Sequence, residues 1–276
     1  MEVIDDILLY IQDHFDEALS LDDLAGRAHY SPYHFHRLFK QQVGEAPKQY
    51  LSRLRLERAI KELIFYPEKP IQVIALDSGF SSHPVFARAF RNKYGVSADR
   101  YRTQALDVLR EKVDSISPDV QQYPVTVDRV EPCLLACEMT LLLPEDGILE
   151  AFRKLHAWAS ARDLCGARPR YYGIFIDSPF STPLPKCRYL AGIRVREAAP
   201  GRAVRALGPL TIARIPVLGS YGLLTDYALY VKQRWVRDSG YEVVQGVPGW
   251  EYFADVDFSK PYARHYRTIC IGIRPK

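Results

Sequence analysis

The segment 31-SPYHFHRLFK-40 places two histidines, an arginine and three aromatic residues within ten positions. Imidazole is a common metal ligand and general base, so His34 and His36 raise the possibility of a metal site or a catalytic pair. Ser31, followed by proline, is typical of the start of a helix. On that helix the two histidines lie about 200° apart and cannot readily share one ion. We therefore expect no metal site, no catalytic residue and no cofactor there.

The same pattern occurs twice in the first half of the chain. The segments 21-LDDLAGRAHYSPYHFHRLFKQQVG-44 and 71-IQVIALDSGFSSHPVFARAFRNKYG-95 align at an offset of fifty positions, and of fifty-one after the turn. Two copies of one supersecondary unit are predicted. The matched pairs are Leu21 with Ile71, Leu24 with Ile74, Ala25 with Ala75, Ser31 with Ser82, Phe35 with Phe86, Arg37 with Arg88, Phe39 with Phe90, and Gly44 with Gly95.

Each copy has the layout of a helix-turn-helix unit. Apolar residues at helical spacing predict a short first helix and a second helix whose phenylalanines face the core. In both copies a serine hydroxyl is expected to cap the second helix, and a glycine is expected to end it. The turn, cap and stop positions are filled by His29 and Gly79, Ser31 and Ser82, and Gly44 and Gly95.

The segment between the copies, 47-PKQYLSRLRLERAIKELIF-65, predicts one long helix. Its apolar residues lie largely on one broad face, with Arg53, Arg55, Arg58 and Lys61 mostly off it. Nineteen residues give a rod of about 28 Å, and major-groove faces on one side of B-DNA recur about every 34 Å. Such a helix could hold two recognition helices over adjacent major grooves without a dimer.

Charge is distributed unevenly along this half. Residues 1–26 contain eight acids and no Lys or Arg, whereas residues 27–112 contain sixteen Lys or Arg and eight acids, a local net charge of +8. A surface that faces phosphates gains from counterion release. An ordinary solvated surface would show the same balance, so charge alone leaves both interpretations open.

The sequence as a whole indicates a cytoplasmic protein of two domains. Its 276 residues exceed the usual domain size of about 100–200 residues. It has no apolar run of about 18 residues and an acidic start, so no membrane partner is expected. Five cysteines without a CxxC motif favour a reducing compartment. The polar segment 113–121 is predicted to link a domain of residues 1–112 to one of residues 122–276.

The second half changes to short strands that alternate with two helices. Strand candidates near 123–130 and 132–140 precede helix 147–162 and strands 171–176 and 187–195. Strand 210–217 then precedes helix 223–240 and strands 249–256 and 267–273. Each repeat reads strand, helix, strand, strand, which predicts an α+β domain with helices against an antiparallel sheet.

Residues 5–104 resemble the AraC/XylS family of bacterial transcription regulators. The likeness includes 79-GFSSHPVFARAFRNKYGVSADRYR-102, with its Gly-Phe turn, its Phe-x-Arg-x-Phe core and its closing Tyr-Arg. The resemblance implies an all-α domain with two helix-turn-helix units that contacts two major grooves of double-stranded promoter DNA as a monomer. It also implies contact with RNA polymerase.

Alignment with the family carries its base-contacting positions onto Tyr33, His36, Arg37, His83, Pro84, Ala87 and Arg88. Guanidinium forks match O6 and N7 of guanine, which supports Arg37 and Arg88, although a phosphate contact or a helix-surface ion pair is an alternative for each. Pro84 and Ala87 depart from the polar residues often found there, so the second helix would contact thymine methyls or specify little sequence. One turn further on, phosphate contacts are expected for Lys40, Arg91 and Lys93.

Residues 122–276 resemble the GyrI-like small-molecule-binding domain, on 172-YGIFIDSPFSTPLPKCRYLAGI-193, Trp235 with 239-SGY-241, and 250-WEYF-253. The resemblance implies a groove for an aromatic or cationic compound, as in multidrug binding, with Glu251 as its central polar group. Ring faces beside a carboxylate suit a lipophilic cation. Strand alternation would instead leave Glu251 on the surface, opposite its neighbours. The candidate ligand-binding residues are Glu251, Trp250, Tyr252, Tyr172, Phe175, Tyr221 and Trp235.

Together these features predict a sequence-specific DNA-binding transcription regulator, not an enzyme, whose second domain binds a small-molecule effector. Two alternatives stay open for that domain. It could hydrolyse a reactive small molecule with Glu251 as general base, although no Ser/His/Asp set or metal-ligand cluster accompanies this residue. It could also serve mainly as a contact module for other proteins.

Overall fold

The computed structural model describes residues 2–115, 124–177, 182, 184–219, 221–244 and 246–276. The chain divides into two compact units, Met1–Glu111 and Lys112–Lys276. Of the predicted linker, residues 113–114 are the end of a helix, and residues 116–121 lie outside the described residues. Within the described part, none of the helices has the length and apolar character needed to span a bilayer.

The described residues of the first unit form an all-α fold, as the sequence predicts. Helix α1 comes first and is followed by the two repeats, α2–α3 and α5–α6. The long connector α4 joins the repeats, and α7 is the last helix. Their bounds are α1 Glu2–Asp13, α2 Leu21–Arg27, α3 Pro32–Val43, α4 Pro47–Phe65, α5 Ile71–Asp77, α6 His83–Tyr94 and α7 Ala98–Asp114.

The internal repeat is confirmed element by element. Helix α5 begins fifty positions after α2, and α6 begins fifty-one positions after α3. The turns match in backbone conformation as well, because His29 has a φ of 57° and Gly79 a φ of 84°. The second position accepts only glycine, since a Cβ there would lie 2.7 Å from the Cα of Asp16.

The two recognition helices, α3 and α6, begin differently. The Ser31 hydroxyl accepts a hydrogen bond from the His34 N–H at 3.3 Å, as predicted. The prediction for Ser82 is wrong, because it occupies the N-cap position of α6 but its side chain makes no cap hydrogen bond. The extra turn residue places Pro84 at the second helical position, where a capping serine often finds its donor, and proline has no N–H.

Each repeat packs its recognition helix through a pair of phenylalanines. Phe35 and Phe39 are 0% exposed, and Phe39 contacts the Tyr50 ring of α4 at a centroid distance of 5.5 Å. Phe90 makes the equivalent contact with Tyr101 of α7, at a centroid distance of 5.4 Å. Burying these rings on one side of each helix leaves the opposite side exposed.

The connector α4 covers the predicted residues but is buried on most of its surface. Its arginines, expected largely off the apolar face, are half-buried. Arg55 donates to the backbone carbonyls of Phe15 and Glu17, each at 2.7 Å, and the other two pair with carboxylates of the same helix. Arg53 donates to Glu57 at 2.8 Å, and Arg58 lies 2.7 Å from Glu62. The connector is therefore a core element of this unit.

The described residues of the second unit form an antiparallel sheet with helices, which agrees with the predicted α+β class. The helices are α8 Asp146–Ser160 and α9 Tyr221–Tyr230, which continues as a π-helical segment Val231–Trp235 and a last turn Val236–Asp238. The strands are β1 Thr126–Val130, β2 Cys133–Leu141, β3 Tyr171–Phe175, β4 Arg188–Val195, β5 Ala203–Leu207, β6 Leu210–Val217, β7 Tyr241–Val243, β8 Trp250–Phe253 and β9 Arg267–Pro275.

The sheet has the order β1-β6-β9-β8-β3-β4-β2-β5, and β7 pairs with β9 outside this path. The two predicted repeats are present as β2-α8-β3-β4 and β6-α9-β8-β9. The sequence did not predict β5 or β7. Each repeat is preceded by one further strand, and these strands are exchanged, because β1 pairs with β6 and β5 pairs with β2. The repeats meet at the β8–β3 pair.

Helix α8 covers one face of this junction. Phe152 contacts the rings of Tyr171 on β3 and Phe253 on β8, each at a centroid distance of 5.3 Å. Because side chains alternate along a strand, Glu251 lies on the same face as Phe253. The tertiary fold thus carries this carboxylate into the core.

Candidate functional site

The exposed side of α3 carries the predicted DNA-contacting residues. Tyr33 is 79% exposed, and His36, Arg37 and Lys40 are exposed as well. His34 is half-buried instead, with its ring 4.8 Å from that of Tyr30. The two histidines of the segment therefore lie in different surroundings, as the helical spacing predicts.

Helix α6 presents a similar surface. Among the predicted base-contacting residues, His83, Pro84 and Arg88 are exposed and Ala87 is half-buried. Val85, which the sequence analysis did not name, is 47% exposed on the first turn of α6. The predicted phosphate contacts Arg91 and Lys93 are exposed in the last turn.

Electrostatics separates these basic residues from the others of the first unit. Arg53 and Arg58 are held by carboxylates, and Lys69 lies within 2.8 Å of both Glu62 and Asp77. In the part of the chain that the structure describes, neither Arg37 nor Arg88 has a carboxylate partner. The alternative of a helix-surface ion pair therefore does not account for either arginine.

The second unit contains a buried polar cluster around Glu251, which is 0% exposed. The phenol groups of Tyr189 and Tyr262 donate to its carboxylate at 2.8 and 2.7 Å. The Arg267 guanidinium donates through Nε at 2.5 Å and lies over the Tyr262 ring, 4.2 Å from the centroid. The alternative that Glu251 lies on the surface is therefore wrong.

Gly173 makes room for one of these donors. It pairs with Glu251 across the β3–β8 junction, and a Cβ at this position would lie 1.4 Å from the Tyr189 hydroxyl. The Tyr189 side chain thus crosses over the Gly173 backbone to reach the carboxylate. Sequence analysis named neither Tyr189, Tyr262 nor Arg267 as a site residue, because no local pattern shows that they converge on Glu251.

The charge of the cluster is nearly balanced. Burial raises the pKa of Glu251 above its ordinary value, against the effect of Arg267 and of the two phenol donors. Burial also raises the pKa of Tyr189 and Tyr262 well above that of free tyrosine, and the nearby carboxylate adds to this. Both phenols therefore remain hydrogen-bond donors.

The predicted ligand-binding residues are divided between the two faces of the sheet. Glu251 and Phe175 lie on one face by strand alternation, and Phe175 contacts the Tyr189 ring at 5.7 Å. Trp250, Tyr252 and Tyr172 lie on the other face, where the two tyrosine rings are 5.4 Å apart.

Two further candidates lie on or beside helix α9. Trp235 stacks on Tyr241 at a centroid distance of 6.1 Å. Tyr221 begins α9, but its side chain lies outside the described residues. The structure does not gather all seven candidates around one point.

Comparison with known proteins bears on the first unit. Residues 24–104 match the family model described as a helix-turn-helix domain. The Tn10 TetD protein of Escherichia coli is 38% identical over 104 residues, which are 38% of this chain and 75% of TetD. A Chromobacterium violaceum transcriptional regulator described as having an AraC-type DNA-binding domain is 34% identical, over 37% of this chain and 91% of that chain, with a TM-score of 0.35. The chain belongs to the AraC family of DNA-binding transcription regulators.

These relatives match over little more than a third of this chain. The probable transcriptional regulator LumQ of Photobacterium leiognathi is 41% identical over 93 residues, which are 34% of this chain and 37% of LumQ. The chain thus spans about a third of the length of such curated relatives. The solved C-terminal domain of EcmrR aligns with 56% of this AraC-family chain over 99% of its own length, at 14% identity and a TM-score of 0.42. The GyrI-like assignment of residues 122–276 stays a prediction.

Proposed function

We propose that this chain regulates transcription by binding promoter DNA in a sequence-specific manner through α3 and α6, and that it contacts RNA polymerase there. The observation that carries the proposal is the pair Arg37 and Arg88. They occupy matching positions in the two repeats, both are exposed, and the described residues give neither a carboxylate partner. An exposed guanidinium without a carboxylate partner can donate hydrogen bonds to the O6 and N7 atoms of guanine.

The remaining predicted contacts divide by chemistry. Tyr33, His36 and His83 are exposed near the starts of their helices and can donate hydrogen bonds to base edges. Pro84 and Ala87 offer apolar contact to thymine methyls. Lys40, Arg91 and Lys93 lie nearer the helix ends and supply positive charge for phosphates, which positions the protein without specifying sequence.

Selection from a library of randomised duplexes with the full chain tests this function. Two short conserved segments, separated by about one helical turn of DNA, are the expected product. Enrichment without any common motif would contradict sequence-specific binding.

We further propose that residues 122–276 form a GyrI-like domain that binds a small-molecule effector at Glu251. A buried carboxylate that accepts from two phenols and a guanidinium offers several polar groups within an aromatic surround. Because Arg267 already balances the charge of Glu251, an aromatic compound is favoured over a cation. A bound effector can alter DNA binding only if it binds the DNA-competent state with a different affinity.

Thermal denaturation of the full chain with a panel of aromatic compounds and lipophilic cations tests the effector proposal. A compound that binds only the folded state raises the apparent stability in a saturable way. Stabilisation by neutral aromatics above matched cations is expected. Failure of the whole panel would favour a domain that mainly contacts other proteins.

A further inference from the structure

A second possible binding site lies in the second unit, in a cleft of about 430 Å³. The start of β2, the segment before β3 and the end of β4 form its walls. Four of its lining residues are arginines, namely Arg168, Arg170, Arg194 and Arg196. The volume falls in the range of small-molecule sites, about 300–1,000 Å³.

Backbone hydrogen bonds position three of these arginines. The Arg194 N–H donates to the Arg170 carbonyl at 3.0 Å, and the Arg196 N–H donates to the Leu164 carbonyl at 3.0 Å. Arg194 is the penultimate residue of β4, and Arg196 is the first residue after that strand. Strand alternation places the Arg194 side chain on the face opposite to that of Tyr189, which contacts Glu251.

The positive charge of the cleft is largely uncompensated. Among the described residues, Arg196 pairs with Asp163 at 3.2 Å, and both side chains are mostly exposed. Arg168, Arg170 and Arg194 have no carboxylate partner within that same part of the chain. Guanidinium groups stay charged at any physiological pH, so their convergence is unfavourable until an anion lies between them.

The rest of the lining is mixed. Pro132, Leu134 and Pro169 provide apolar surface, and none of the three is buried. Cys133 also lines the cleft. Burial raises the pKa of its thiol, while the charges of Arg194 and Arg170 and a hydrogen bond with Tyr172 act in the opposite direction. The cleft thus combines planar cationic donors with an apolar wall.

We propose that this cleft binds an organic anion, in which a carboxylate or phosphate group is joined to a small apolar body. The guanidinium fork matches either anion through two parallel hydrogen bonds, and the apolar lining residues Pro132 and Pro169 pack against the apolar part. The site does not depend on the proposed effector site at Glu251, because Arg194 lies on the opposite face of the sheet from Glu251 and the two sites favour different ligands.

Calorimetric titration of the full chain with phenyl phosphate, benzoate, inorganic phosphate and benzyl alcohol tests the proposal. We expect saturable binding of phenyl phosphate and benzoate, weaker binding of inorganic phosphate, and none of benzyl alcohol. Arg170→Gln and Arg194→Gln should each weaken phenyl phosphate binding about tenfold, because each removes a charge-assisted hydrogen-bond pair. The control Arg237→Gln changes an exposed arginine outside the cleft and should leave binding unchanged.

Three results would overturn the proposal. The first is that none of the anions binds at millimolar concentration. The second is that inorganic phosphate binds as tightly as phenyl phosphate, which would leave the apolar wall without a role. The third is that Arg170→Gln and Arg194→Gln weaken DNA binding by the full chain and leave phenyl phosphate binding intact, since the cleft would then contact nucleic-acid phosphates. Circular dichroism establishes that each variant is folded.

Discussion

Arginine has different roles at different positions of the first unit, and its partners distinguish them. Arg53 and Arg58 pair with Glu57 and Glu62, which are buried in the same helix. Arg37 and Arg88 are exposed and face no carboxylate among the described residues. Pairing inside the unit stabilises the fold, whereas an exposed guanidinium is free to contact DNA.

Replacement of either exposed arginine should weaken specific DNA binding. We expect Arg37→Ala and Arg88→Ala each to cost about 1–3 kcal/mol on the selected site and to relax its sequence preference. Lys40→Ala should weaken binding to all sequences and lower the salt dependence. Fluorescence anisotropy on specific and random duplexes over a range of salt concentrations measures both effects. Equal losses on the two duplexes for all three variants would refute the base contacts.

The ion pair of Glu251 and Arg267 has both side chains at 0% exposure. Removal of one partner from such a pair leaves an uncompensated buried charge, which costs far more than the pair contributes. A loss of ligand binding in a Glu251 variant would not distinguish a lost contact from a disrupted core.

A double-mutant cycle tests the pair itself. We expect Glu251→Gln and Arg267→Met each to lower the free energy of unfolding by about 3–5 kcal/mol, and the double variant to lose less than the sum by at least about 1 kcal/mol. Denaturant unfolding followed by tyrosine and tryptophan fluorescence gives these values. The exposed pair Arg274 and Glu242 is the control, with a coupling of about 0–1 kcal/mol. An additive cycle at Glu251 would show that the two charges do not interact.

At the scale of elements, the two recognition helices show that one extra turn residue changes a helix start. In α3 proline takes the first helical position and leaves the donor that Ser31 needs. In α6 proline takes the second position, and Ser82 caps the helix only through its backbone carbonyl, which accepts from the Phe86 N–H at 3.1 Å. The same residue type at aligned positions therefore contributes differently to stability.

This difference gives a prediction with an internal control. Ser31→Ala should destabilise the first unit by about 0.5–2 kcal/mol because it removes a side-chain cap. Ser82→Ala should change stability by less than about 0.5 kcal/mol. Thermal and urea denaturation of the two variants compares them directly. Equal destabilisation would mean that the Ser82 hydroxyl caps α6 in solution.

At the scale of the whole molecule, both recognition helices belong to one compact unit. The connector α4 is buried along most of its length, so the spacing of α3 and α6 is fixed by packing. A single chain should therefore engage two half-sites at a defined separation. In a DNA-binding protein that acts as a dimer, by contrast, the subunit interface sets that distance.

Insertion of base pairs between the half-sites tests this rigidity. Five added base pairs rotate one half-site by about half a turn of B-DNA and should reduce the affinity to that for random DNA. A full added turn restores the face of the helix but exceeds the reach of α4, so it should not restore affinity. Anisotropy with a chain shown to be monomeric by analytical ultracentrifugation measures both. Tight binding to either lengthened duplex would show that the distance between α3 and α6 is not fixed.

Local patterns predicted most of the first unit. The offset repeat, the phenylalanines at helical spacing and the bounds of α4 depend on residues close in sequence, and helix geometry converts such spacing directly into faces. In the second unit, helices and long strands were found, but β5 and β7 were missed. The segment 203-AVRAL-207 is short and has little alternation, so its strand character comes from pairing with β2, a partner distant in the chain.

The sequence by itself determined that two helix-turn-helix copies exist, which side of each recognition helix packs inward, and therefore that Arg37 and Arg88 face outward. The tertiary structure alone decided that Glu251 is buried with Tyr189, Tyr262 and Arg267, and that four arginines line one cleft. The physical reason is the separation along the chain of the residues that come into contact. Helical periodicity places residues within a few positions of one another, whereas strand pairing brings together side chains from separate segments whose register no local pattern records.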